Sequence, residues 1–391
     1  MTPSRITFIC SSLEPGRDGV GDYTRVLAAA LAKRGHGVEA VALHDRHITS
    51  PLESTHESGG RILRLPAATP WADRVARARG FVDRHQPDWI SVQFVAYGFQ
   101  NRGHVWGLGP RLRAVAGRRP IHLMFHELWA GARGSPLRER LEGWLQKQAT
   151  VRMVRELAPA AVHTHAPPYV VMLRNEGIAT GRLPLFGNIV PDTTGNTDWL
   201  KGEFTRAGID LANDRDRQMI FGLFGALHRE WRSEPLVPRI IDAARQRAKI
   251  PVFVAIGRLG AGERVWANLK QKYETTIRFI HLGELPADRV SHALLTLDFV
   301  IATSPLALIG KSSTAATAID HGLPLIVSRN DISYPFEFQR LEKSEALIIP
   351  LGDDFAQRLA TARRRPAVHT VDRVAADLSR ALEGESAILL K

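Results

Sequence analysis

Short apolar segments alternate along the chain with longer stretches in which apolar residues recur at helical spacing. The short segments are predicted as buried strands and the longer ones as helices. In the first half the predicted strands are residues 5–12, 37–44, 88–95, 121–128, 160–166 and 182–190, and the predicted helices are residues 22–35, 72–86 and 136–157. Strands separated by helices predict a parallel sheet that is covered on both faces.

The second half repeats this alternation. Its predicted strands are residues 218–227, 250–259, 277–285, 298–304 and 323–329, and its predicted helices are residues 233–248, 262–274, 286–297, 311–322 and 370–391. A segment rich in Gly, Pro, Thr, Asn and Asp separates the halves at residues 187–199.

The prediction is an α/β protein of two Rossmann-like, doubly wound domains that face a central cleft. A chain of 391 residues is too long for one ordinary hydrophobic core. We expect an N-terminal domain at residues 1–190, a C-terminal domain at residues 191–370 and a closing helix at residues 371–391. Ligands of such sheets bind at the carboxyl ends of the strands, so the loops that follow the strands are the places to search.

Basic residues are concentrated in the first half. The chain has 52 Lys+Arg and 40 Asp+Glu, a net charge of +12. Residues 1–190 contribute 25 basic and 15 acidic side chains, whereas residues 191–391 contribute 27 and 25. This excess predicts an anionic partner, such as an acidic acceptor or an anionic lipid surface, although an arginine-rich proteome would also produce it. Because we find no motif typical of nucleic-acid binding, we expect no nucleic-acid partner.

Composition excludes several classes of protein. With 44% hydrophobic and 24% charged residues, the chain is not a disordered one. A single cysteine, Cys10, excludes an internal disulfide, and His163 and His165 share one face of a strand without a third metal ligand in sight, so no metal site is predicted. No apolar run approaches the roughly 20 residues of a membrane-spanning helix, and the apolar residues 6–10 are too few for a signal peptide. We expect a cytoplasmic protein that attaches peripherally to the inner face of the membrane through its basic half.

A glycine-rich loop with Gly16, Gly19 and Gly21 follows the first predicted strand. Glycines let a phosphate approach closely, and amides at a helix start favour an anion. The dinucleotide fingerprint is incomplete, because Thr24 stands where its third glycine belongs. The loop is therefore predicted to contact a phosphate without binding a stacked NAD, or only to shape a tight turn.

A second glycine-containing segment follows a buried strand and opens a helix. Its candidate diphosphate-binding residues are Gly310, Lys311, Ser312, Ser313 and Thr314. The segment resembles the end of a Walker A loop, but Pro305 replaces the glycine that a true P-loop requires. Amides, hydroxyls and one ammonium group at a helix start suit a diphosphate. The alternative is ordinary capping by Ser312 or Ser313.

Residues 16–43 and 282–328 resemble GT-B glycosyltransferases, especially the retaining enzymes of glycosyltransferase family 4. The two segments occur in the family's order, one in each predicted domain. The resemblance implies a nucleotide-sugar donor in the C-terminal domain and an acceptor in the N-terminal domain. It also implies transfer with retention of configuration, no obligatory metal or other cofactor, and a role in polysaccharide, glycolipid or metabolite glycosylation.

The chain departs from the family at its donor motif. The family has two glutamates, eight positions apart, where this sequence has Ile309 and Thr317. The chain is therefore either a transferase with an unusual donor site or a catalytically degenerate relative that binds a nucleotide-sugar or serves as a partner subunit.

The family's arginine and lysine that neutralise the diphosphate are also replaced, by Ala226 and Trp231. Arg229 and Arg232 lie on the same loop and are predicted to take over this role with Lys311, unless they are only a solvated charge run. On this hypothesis these groups stabilise the leaving diphosphate, and the glycine-rich loop closes over it from the other domain.

In the N-terminal domain, His126 and Glu127 follow a predicted strand and are expected to point into the cleft. The family often has a histidine there, near the transferred sugar, so His126 is the candidate catalytic residue; a satisfied histidine at a strand end is the alternative. Gln93 and Tyr97, with Glu127, form the candidate acceptor side, unless the aromatic cluster that includes Phe99 belongs to the core.

Overall fold

The computed structural model describes residues 3–56, 59–130, 137–228 and 230–384. The chain divides into two compact units. Unit 1 comprises the described residues of Met1–Leu185, Tyr334–Phe338 and Val371–Lys391, and unit 2 those of Phe186–Ser333 and Gln339–Thr370. The predicted boundary between residues 190 and 191 lies just past the first segment of unit 1. Arg229 and residues 385–391 of the predicted closing helix lie outside the described residues.

Unit 1 contains an eight-stranded sheet. Its strands are β1 (Arg5–Cys10), β2 (Gly37–Asp45), β3 (Leu52–Thr55), β4 (Arg61–Pro66), β5 (Trp89–Phe94), β6 (Ile121–Phe125), β7 (Ala161–Thr164) and β8 (Gly181–Arg182). Its helices are α1 (Gly19–Lys33), α2 (Trp71–His85), α3 (Ala96–Phe99), α4 (Leu108–Ala116), α5 (Leu137–Leu157), α6 (Pro167–Asn175) and α14 (Val371–Leu382). The strand order is β3-β4-β2-β1-β5-β6-β7-β8, and only the pairing of β3 with β4 is antiparallel.

Unit 2 contains a six-stranded, fully parallel sheet. Its strands are β9 (Gln218–Phe224), β10 (Ile250–Ile256), β11 (Arg278–His281), β12 (Phe299–Ala302), β13 (Leu325–Val327) and β14 (Ile348–Pro350). Its helices are α7 (Asp198–Arg206), α8 (Val237–Arg245), α9 (Glu263–Tyr273), α10 (Ala287–Thr296), α11 (Ser313–Asp320), α12 (Leu341–Ser344) and α13 (Phe355–Thr361). Among the described residues, no helix is long and apolar enough to cross a membrane.

Apolar residues cover both faces of the second sheet. Ile220 of β9 packs in one buried cluster with Val252, whereas its neighbour Phe221 packs in another with Phe253. Successive side chains of a strand point to opposite faces, so a strand that is apolar at every position must be covered on both sides. This two-sided burial confirms the predicted doubly wound α/β architecture.

The strand order of each sheet reverses at one point. In unit 2 the order is β11-β10-β9-β12-β13-β14, so the reversal lies between β9 and β12. In unit 1 the corresponding reversal lies between β1 and β5. The crevice outside the carboxyl ends of the strands at such a reversal is the usual ligand site of an open α/β sheet.

Helix α1 begins earlier than the apolar pattern predicted. The pattern favoured a start at Asp22, but α1 begins at Gly19 because Asp18 caps it. The Asp18 carboxylate accepts from the amides of Val20 and Gly21, each at 2.9 Å. A short polar side chain before a helix satisfies amides that have no partner within the helix. Part of the predicted loop is therefore helical.

Candidate functional site

Polar side chains gather on three neighbouring strands near the carboxyl edge of unit 1's sheet. β5 carries Ser91 and Gln93, β6 carries His122 and is followed by His126, and β7 carries His163 and is followed by His165. All except His163 are more than nine-tenths buried. Because residues an even number of positions apart on a strand point to the same face, the three strands bring these side chains together on one face.

The six side chains form a continuous series of hydrogen bonds, which we call the histidine chain. At one end, His163 Nδ1 lies 3.1 Å from His122 Nε2, His122 Nδ1 lies 2.9 Å from Ser91 Oγ, and Ser91 Oγ lies 2.8 Å from the Gln93 amide. That amide lies 2.9 Å from His126 Nε2, His126 Nδ1 lies 3.1 Å from His165 Nε2, and His165 Nδ1 lies 2.9 Å from the Leu183 carbonyl. Its side chains therefore reach from β7 through β6 to β5 and back to the end of β7.

The Leu183 carbonyl fixes the protons in the histidine chain. A carbonyl only accepts, so His165 carries a proton on Nδ1, and its Nε2, if the ring is neutral, accepts from His126 Nδ1. His126 Nε2 then accepts from the Gln93 NH2 group, and the Gln93 oxygen accepts from the Ser91 hydroxyl. The structure has the Gln93 oxygen toward His126; in that orientation the His126–His165 pair must hold one extra proton. A half-turn of the Gln93 amide is therefore linked to protonation of this pair.

Burial keeps the histidine chain uncharged at neutral pH. It lowers the pKa of His163 and of His165 to about 4. Burial also holds the pKa values of His122 and His126 well below their ordinary value, and neighbouring histidines lower both further because adjacent imidazolium ions repel. We therefore assign the neutral arrangement, with the Gln93 NH2 group toward His126, to neutral pH.

His126, the candidate catalytic residue, is enclosed by other side chains. Both of its ring nitrogens are bonded, to Gln93 and to His165, and only 8% of the residue is exposed. The Tyr23 ring of α1 meets the imidazole edge-on, with the ring centroids 4.8 Å apart. Its catalytic role stays a prediction. In this geometry, proton transfer from the imidazole to a ligand would first require one of its two hydrogen bonds to break.

The candidate acceptor residues occupy different environments. Gln93 is 1% exposed and belongs to the histidine chain, whereas Glu127 is half-buried. Tyr97 is 36% exposed, and its hydroxyl accepts from Gln146 Nε2 at 2.9 Å. Phe99 is buried and stacks on Phe94, as the core alternative predicted. Tyr97 and Glu127 therefore remain the candidates within reach of a ligand.

The glycine-rich loop serves packing more clearly than phosphate binding. Gly16 has a φ of +68°, which favours glycine, but Gly19 and Gly21 lie in the first turn of α1. A Cβ on Gly21 would come within 2.7 Å of the Ser12 carbonyl oxygen. The Asp18 carboxylate already occupies two amides of this helix start, so a phosphate would have to displace it. The geometry thus favours the alternative of a tight turn.

In unit 2 the loops after β9, β12 and β13 converge beside the strand-order reversal. The backbone amide of His228 donates to Thr303 Oγ1 at 3.2 Å. From the loop after β13, Arg329 Nη1 lies 2.9 Å from His228 Nδ1 and 3.4 Å from the Thr303 carbonyl. The indole of Trp231 donates to Ser328 Oγ at 2.9 Å. Three loops that are far apart in the sequence thus form one edge.

The predicted diphosphate segment lies at this edge. Leu306–Lys311 forms a 3-10 turn, Ser312 caps α11 by accepting from the Ala315 amide at 3.3 Å, and α11 begins at Ser313. The Ser312 hydroxyl also lies 3.0 Å from that of Thr314 and 3.4 Å from that of Ser304. Capping and a hydroxyl cluster therefore coexist, with Gly310 and Lys311 immediately before them.

A left-handed glycine lets β9 approach this cluster. Gly225, which follows β9, has a φ of +76°, and a Cβ there would come within 2.9 Å of Thr314 Cγ2. Any larger residue would be strained and would push the helix start away from the strand. The end of β9 is therefore held against the first turn of α11.

Of the two arginines predicted for the loop after β9, the structure describes one. Arg229 lies outside the described residues, and Arg232 is exposed. Trp231, at the position of the family lysine, is 1% exposed and belongs to the hydrophobic core, so it supplies no charge. Ala226 is exposed and likewise carries none.

Arg329 is the basic residue of the edge that the sequence analysis missed. Its side chain is 6% exposed and binds Asp331 through Nε at 3.0 Å and Nη2 at 2.5 Å, and Glu230 through Nη2 at 3.1 Å. Burial opposes its charge, but these carboxylates raise the pKa of Arg329 above its ordinary value. A charged residue two positions after the apolar strand β13 was the available signal.

The positions of the family glutamates are closed to solvent. Ile309 is 3% exposed and belongs to the hydrophobic core, and Thr317 is 1% exposed. A Cβ on Gly187 would come within 2.6 Å of Thr317 Cα, so the backbone of another segment covers this part of α11. Neither position offers a carboxylate or a surface for one.

No arrangement of metal ligands accompanies these edges. Within the described ranges, no group of three or more His, Cys, Asp or Glu side chains could hold a metal ion.

Comparison with solved structures identifies the fold. The match extends over nearly the whole chain, and the similar structures include GT-B glycosyltransferases. The protein therefore has the GT-B fold, an α/β fold of two parallel-sheet units. No family model and no curated protein matches the sequence.

The similar structures include complexes with ligands. The Anabaena protein HepE in complex with UDP and glucose shares 14% identity at a TM-score of 0.54, with 97% of this chain and 100% of that chain covered. The catalytic domain of starch synthase IV from Arabidopsis thaliana, bound to ADP and acarbose, shares 14% identity at a TM-score of 0.53, with coverages of 98% and 99%. A trehalose-phosphate synthase from Burkholderia xenovorans, in complex with glucose-6-phosphate, shares 14% identity at a TM-score of 0.52, with coverages of 97% and 100%. At these identities the likeness establishes the shared fold.

Proposed function

We propose that this protein is a glycosyltransferase that moves a sugar from a nucleotide-sugar donor to an acceptor. The observation that carries the proposal is the edge of unit 2, where Lys311, three hydroxyls and the start of α11 converge at the strand-order reversal. Such a position is the usual ligand site of this kind of sheet. The GT-B fold and the UDP and ADP complexes of similar structures support a nucleotide-sugar as the ligand.

The donor diphosphate would bind at residues 310–314. The Lys311 ammonium offers a positive charge, and the amides of Ser313 and Thr314 lie at the start of α11, where the helix dipole favours an anion. The hydroxyls of Ser312 and Thr314 can turn to donate to phosphate oxygens. Arg232 and Arg229 would approach from the loop after β9.

The proposed chemistry is transfer with retention of configuration, as in the enzymes that the sequence resembles. The leaving diphosphate would accept the proton of the attacking hydroxyl on the same face of the sugar, so no protein nucleophile is needed. The protein's part is to stabilise the charge that grows on the diphosphate as the glycosidic bond breaks. Because Lys311 and the helix start supply this stabilisation, we propose that the reaction needs no metal.

The acceptor would bind at the carboxyl edge of unit 1, where Tyr97 and Glu127 are accessible to solvent. The histidine chain below this edge would hold His126 and Gln93 in place. The net charge of +10 in residues 1–190 favours an acidic or lipid-linked acceptor over a neutral one.

Helix α5 supports attachment to an anionic membrane. Leu137, Leu141 and Trp144 are 80%, 59% and 54% exposed and recur at helical spacing, so they form an apolar stripe. Arg138 and Arg140 are exposed beside it. Apolar side chains flanked by basic ones suit the headgroup region of an acidic bilayer. The double substitution Arg138→Glu, Arg140→Glu should abolish sedimentation with acidic liposomes; absence of sedimentation by the parent protein would refute the attachment.

Two observations favour a second function, which is to bind a nucleotide-sugar without turning it over. Ile309 and Thr317 are buried and supply no carboxylate, and two carboxylates already neutralise Arg329. A protein that binds a nucleotide-sugar without turning it over would also have these features. Calorimetry with UDP-glucose, ADP-glucose and GDP-mannose, followed by product analysis with NMR of the anomeric proton, separates the two functions. Binding with a glycosylated or hydrolysed product supports the transferase, whereas binding without any product supports the non-catalytic alternative.

A further inference from the structure

A cavity of about 380 Å³ lies at the amino edge of unit 2's sheet, opposite to the carboxyl edge described above. Its walls include Met219 near the start of β9, Phe299 at the start of β12 and Pro324 just before β13. The volume falls within the range of small-molecule sites in proteins. The cavity is therefore large enough for a ligand and separate from the proposed donor edge.

Four basic side chains and one carboxylate line this cavity. The basic residues are Arg247, Lys249, Arg363 and Arg364, and the carboxylate is Asp298. Asp298 is already bound by Arg215, with Nη2 to Oδ1 at 2.6 Å and Nη1 to Oδ2 at 3.2 Å, and it also accepts from the Ile220 amide at 2.8 Å. One carboxylate engaged in this way does not balance four more cations.

The arginines of the cavity are held by backbone carbonyls instead of carboxylates. Arg247 donates to the Ala243 carbonyl at 2.6 Å, and Arg363 to those of Ala360 and Ala362 at 2.9 Å. Arg364 donates to the carbonyls of Leu295 and Leu297. Within the described part of the chain, none of these three arginines forms an ion pair with an acidic side chain. Their guanidinium groups are thus held in place by carbonyls, and Asp298 is the carboxylate among the residues that line the cavity.

Arginines next to them in the sequence behave differently. Arg245 pairs with Asp242 at 3.5 Å, and Arg365 pairs with Glu345 at 3.0 Å. Burial lowers the pKa of Arg364, although the nearby carboxylate of Asp298 offsets part of this effect. An anion in the cavity would offset the remaining cost for Arg364 and could pair with the other cations at the same time.

We propose that this cavity binds a small phosphorylated molecule that carries at least two negative charges. Arg247, Arg363 and Arg364 would contact the phosphate oxygens, since guanidinium groups pair with phosphate in two-pronged hydrogen bonds. Met219, Phe299 and Leu359 would contact the uncharged part of the ligand. Because the site lies at the opposite edge from the donor segment, its ligand binds in addition to the proposed nucleotide-sugar.

Calorimetric titration with inorganic pyrophosphate, at constant ionic strength set with chloride, tests the proposal on the full chain. We expect saturable binding, and we expect the double variant Arg247→Gln, Arg363→Gln to weaken it by more than about tenfold. The matched control is Arg245→Gln, Arg365→Gln, which removes two arginines that have carboxylate partners and should leave the affinity within about twofold. Thermal unfolding without pyrophosphate shows whether each variant is folded.

Three results would overturn the proposal. They are the absence of binding by the parent protein up to about 5 mM pyrophosphate, equal affinity of the parent and the double variant, and loss of affinity in the control pair. A lipid headgroup is the other source of phosphate; binding of the parent protein to phosphatidylglycerol vesicles but not to soluble pyrophosphate would also refute a small-molecule site. A parallel titration with UDP tests the proposed donor site at the carboxyl edge. Failure of the cavity proposal and failure of the donor proposal can therefore be told apart.

Discussion

The two sheets share a strand-order reversal but differ in the polar groups that lie near it. Near the carboxyl edge of unit 1, four histidines, Ser91 and Gln93 form a buried chain that burial keeps neutral. At the carboxyl edge of unit 2, Lys311 precedes a cluster of hydroxyls, and Arg329 stays charged because Asp331 and Glu230 bind it. The topology therefore determines where polar side chains meet. Whether a buried group is neutral or charged depends on its partners, which are neutral groups in the histidine chain and carboxylates at Arg329.

This difference suits the two sheets to different parts of the proposed reaction. A neutral, fully bonded chain costs little to bury and holds its members in fixed positions, which suits recognition of an uncharged hydroxyl. Charged groups bind a diphosphate strongly, and this binding responds to salt. The comparison makes four predictions, from the largest expected effect to the smallest.

Acidification should destabilise the protein through the histidine chain. In the unfolded chain each histidine takes up a proton near pH 6.5, whereas His163 and His165 stay neutral in the folded protein down to about pH 4. The folded state is therefore not penalised by these histidines above pH 6.5, and it loses stability relative to the unfolded chain as the pH falls from 6.5 toward 4. Between pH 7 and pH 5 we expect a loss of about 2 kcal/mol in the free energy of unfolding for each ring that stays neutral.

Urea unfolding at a series of pH values measures how steeply the free energy of unfolding falls with pH, which we call the pH slope. The double variant His122→Leu, His163→Leu removes two of the four rings and should reduce the slope, whereas His281→Gln, at an exposed position, should not. An unchanged slope in the double variant would show that the chain is not its source.

Replacement of His165 by Phe should break the chain while preserving the ring. The His126 Nδ1 proton and the Leu183 carbonyl would both lose their partner in a buried site. Leaving a buried group without a hydrogen bond costs about 1 to 3 kcal/mol, so we expect a loss of roughly 2 to 5 kcal/mol at pH 7. Chemical denaturation measures it, and a loss below about 0.5 kcal/mol would contradict the continuous chain.

Arg329→Gln tests the charged edge in the same way. Arg329 is buried, but its partners Asp331 and Glu230 are 53% and 60% exposed, so water and salt screen the pairs. We expect a loss of about 1 kcal/mol at low salt that shrinks at about 1 M salt. The loss of unfolding free energy in His165→Phe should not change with salt. If salt changed the loss equally in both variants, the distinction between a neutral histidine chain and a charged Arg329 would be refuted.

Removal of metal ions should have the smallest effect. If Lys311 and the start of α11 neutralise the diphosphate, extensive treatment with EDTA should change the rate of sugar transfer by less than about twofold. Added Mg²⁺ or Mn²⁺ that restores a rate lost to EDTA would show that the proposed charges are insufficient.

The sequence predicted the broad features because they depend on local patterns. Alternating apolar segments led to both sheets, and the Gly-Lys-Ser-Ser-Thr segment led to the start of α11. The strands β3, β4 and β14 and the helices α3, α4, α6, α7, α12 and α13 were not predicted. β3 is exposed along its whole length, α4 contains glycine and proline, and α6 begins with two prolines, so the patterns of these three elements are weak.

The histidine chain could not be predicted as a unit from single-strand patterns. His126 and Gln93 are 33 positions apart, and His165 and His126 are 39 apart, so their contact depends on strand order. The alternation of polar residues within three apolar strands was the available signal. Asp18 before Gly19 was likewise a capping signal, and it moves the start of α1 from the predicted Asp22 to Gly19. Arg329 required the register of β13, which the sequence does not show.

The most direct test of the proposed function is the affinity of the full chain and of Lys311→Ala for a nucleotide-sugar. The donor is first identified from the panel of three, and both proteins are then titrated with it by calorimetry. Lys201→Ala is the matched control, because Lys201 lies in the same unit, is 61% exposed and pairs with Asp198. We predict saturable binding by the parent and control proteins, and an affinity reduced by more than about tenfold in Lys311→Ala. Equal affinity of Lys311→Ala and the parent, or no binding of any nucleotide-sugar by the parent, would contradict a donor site at this edge.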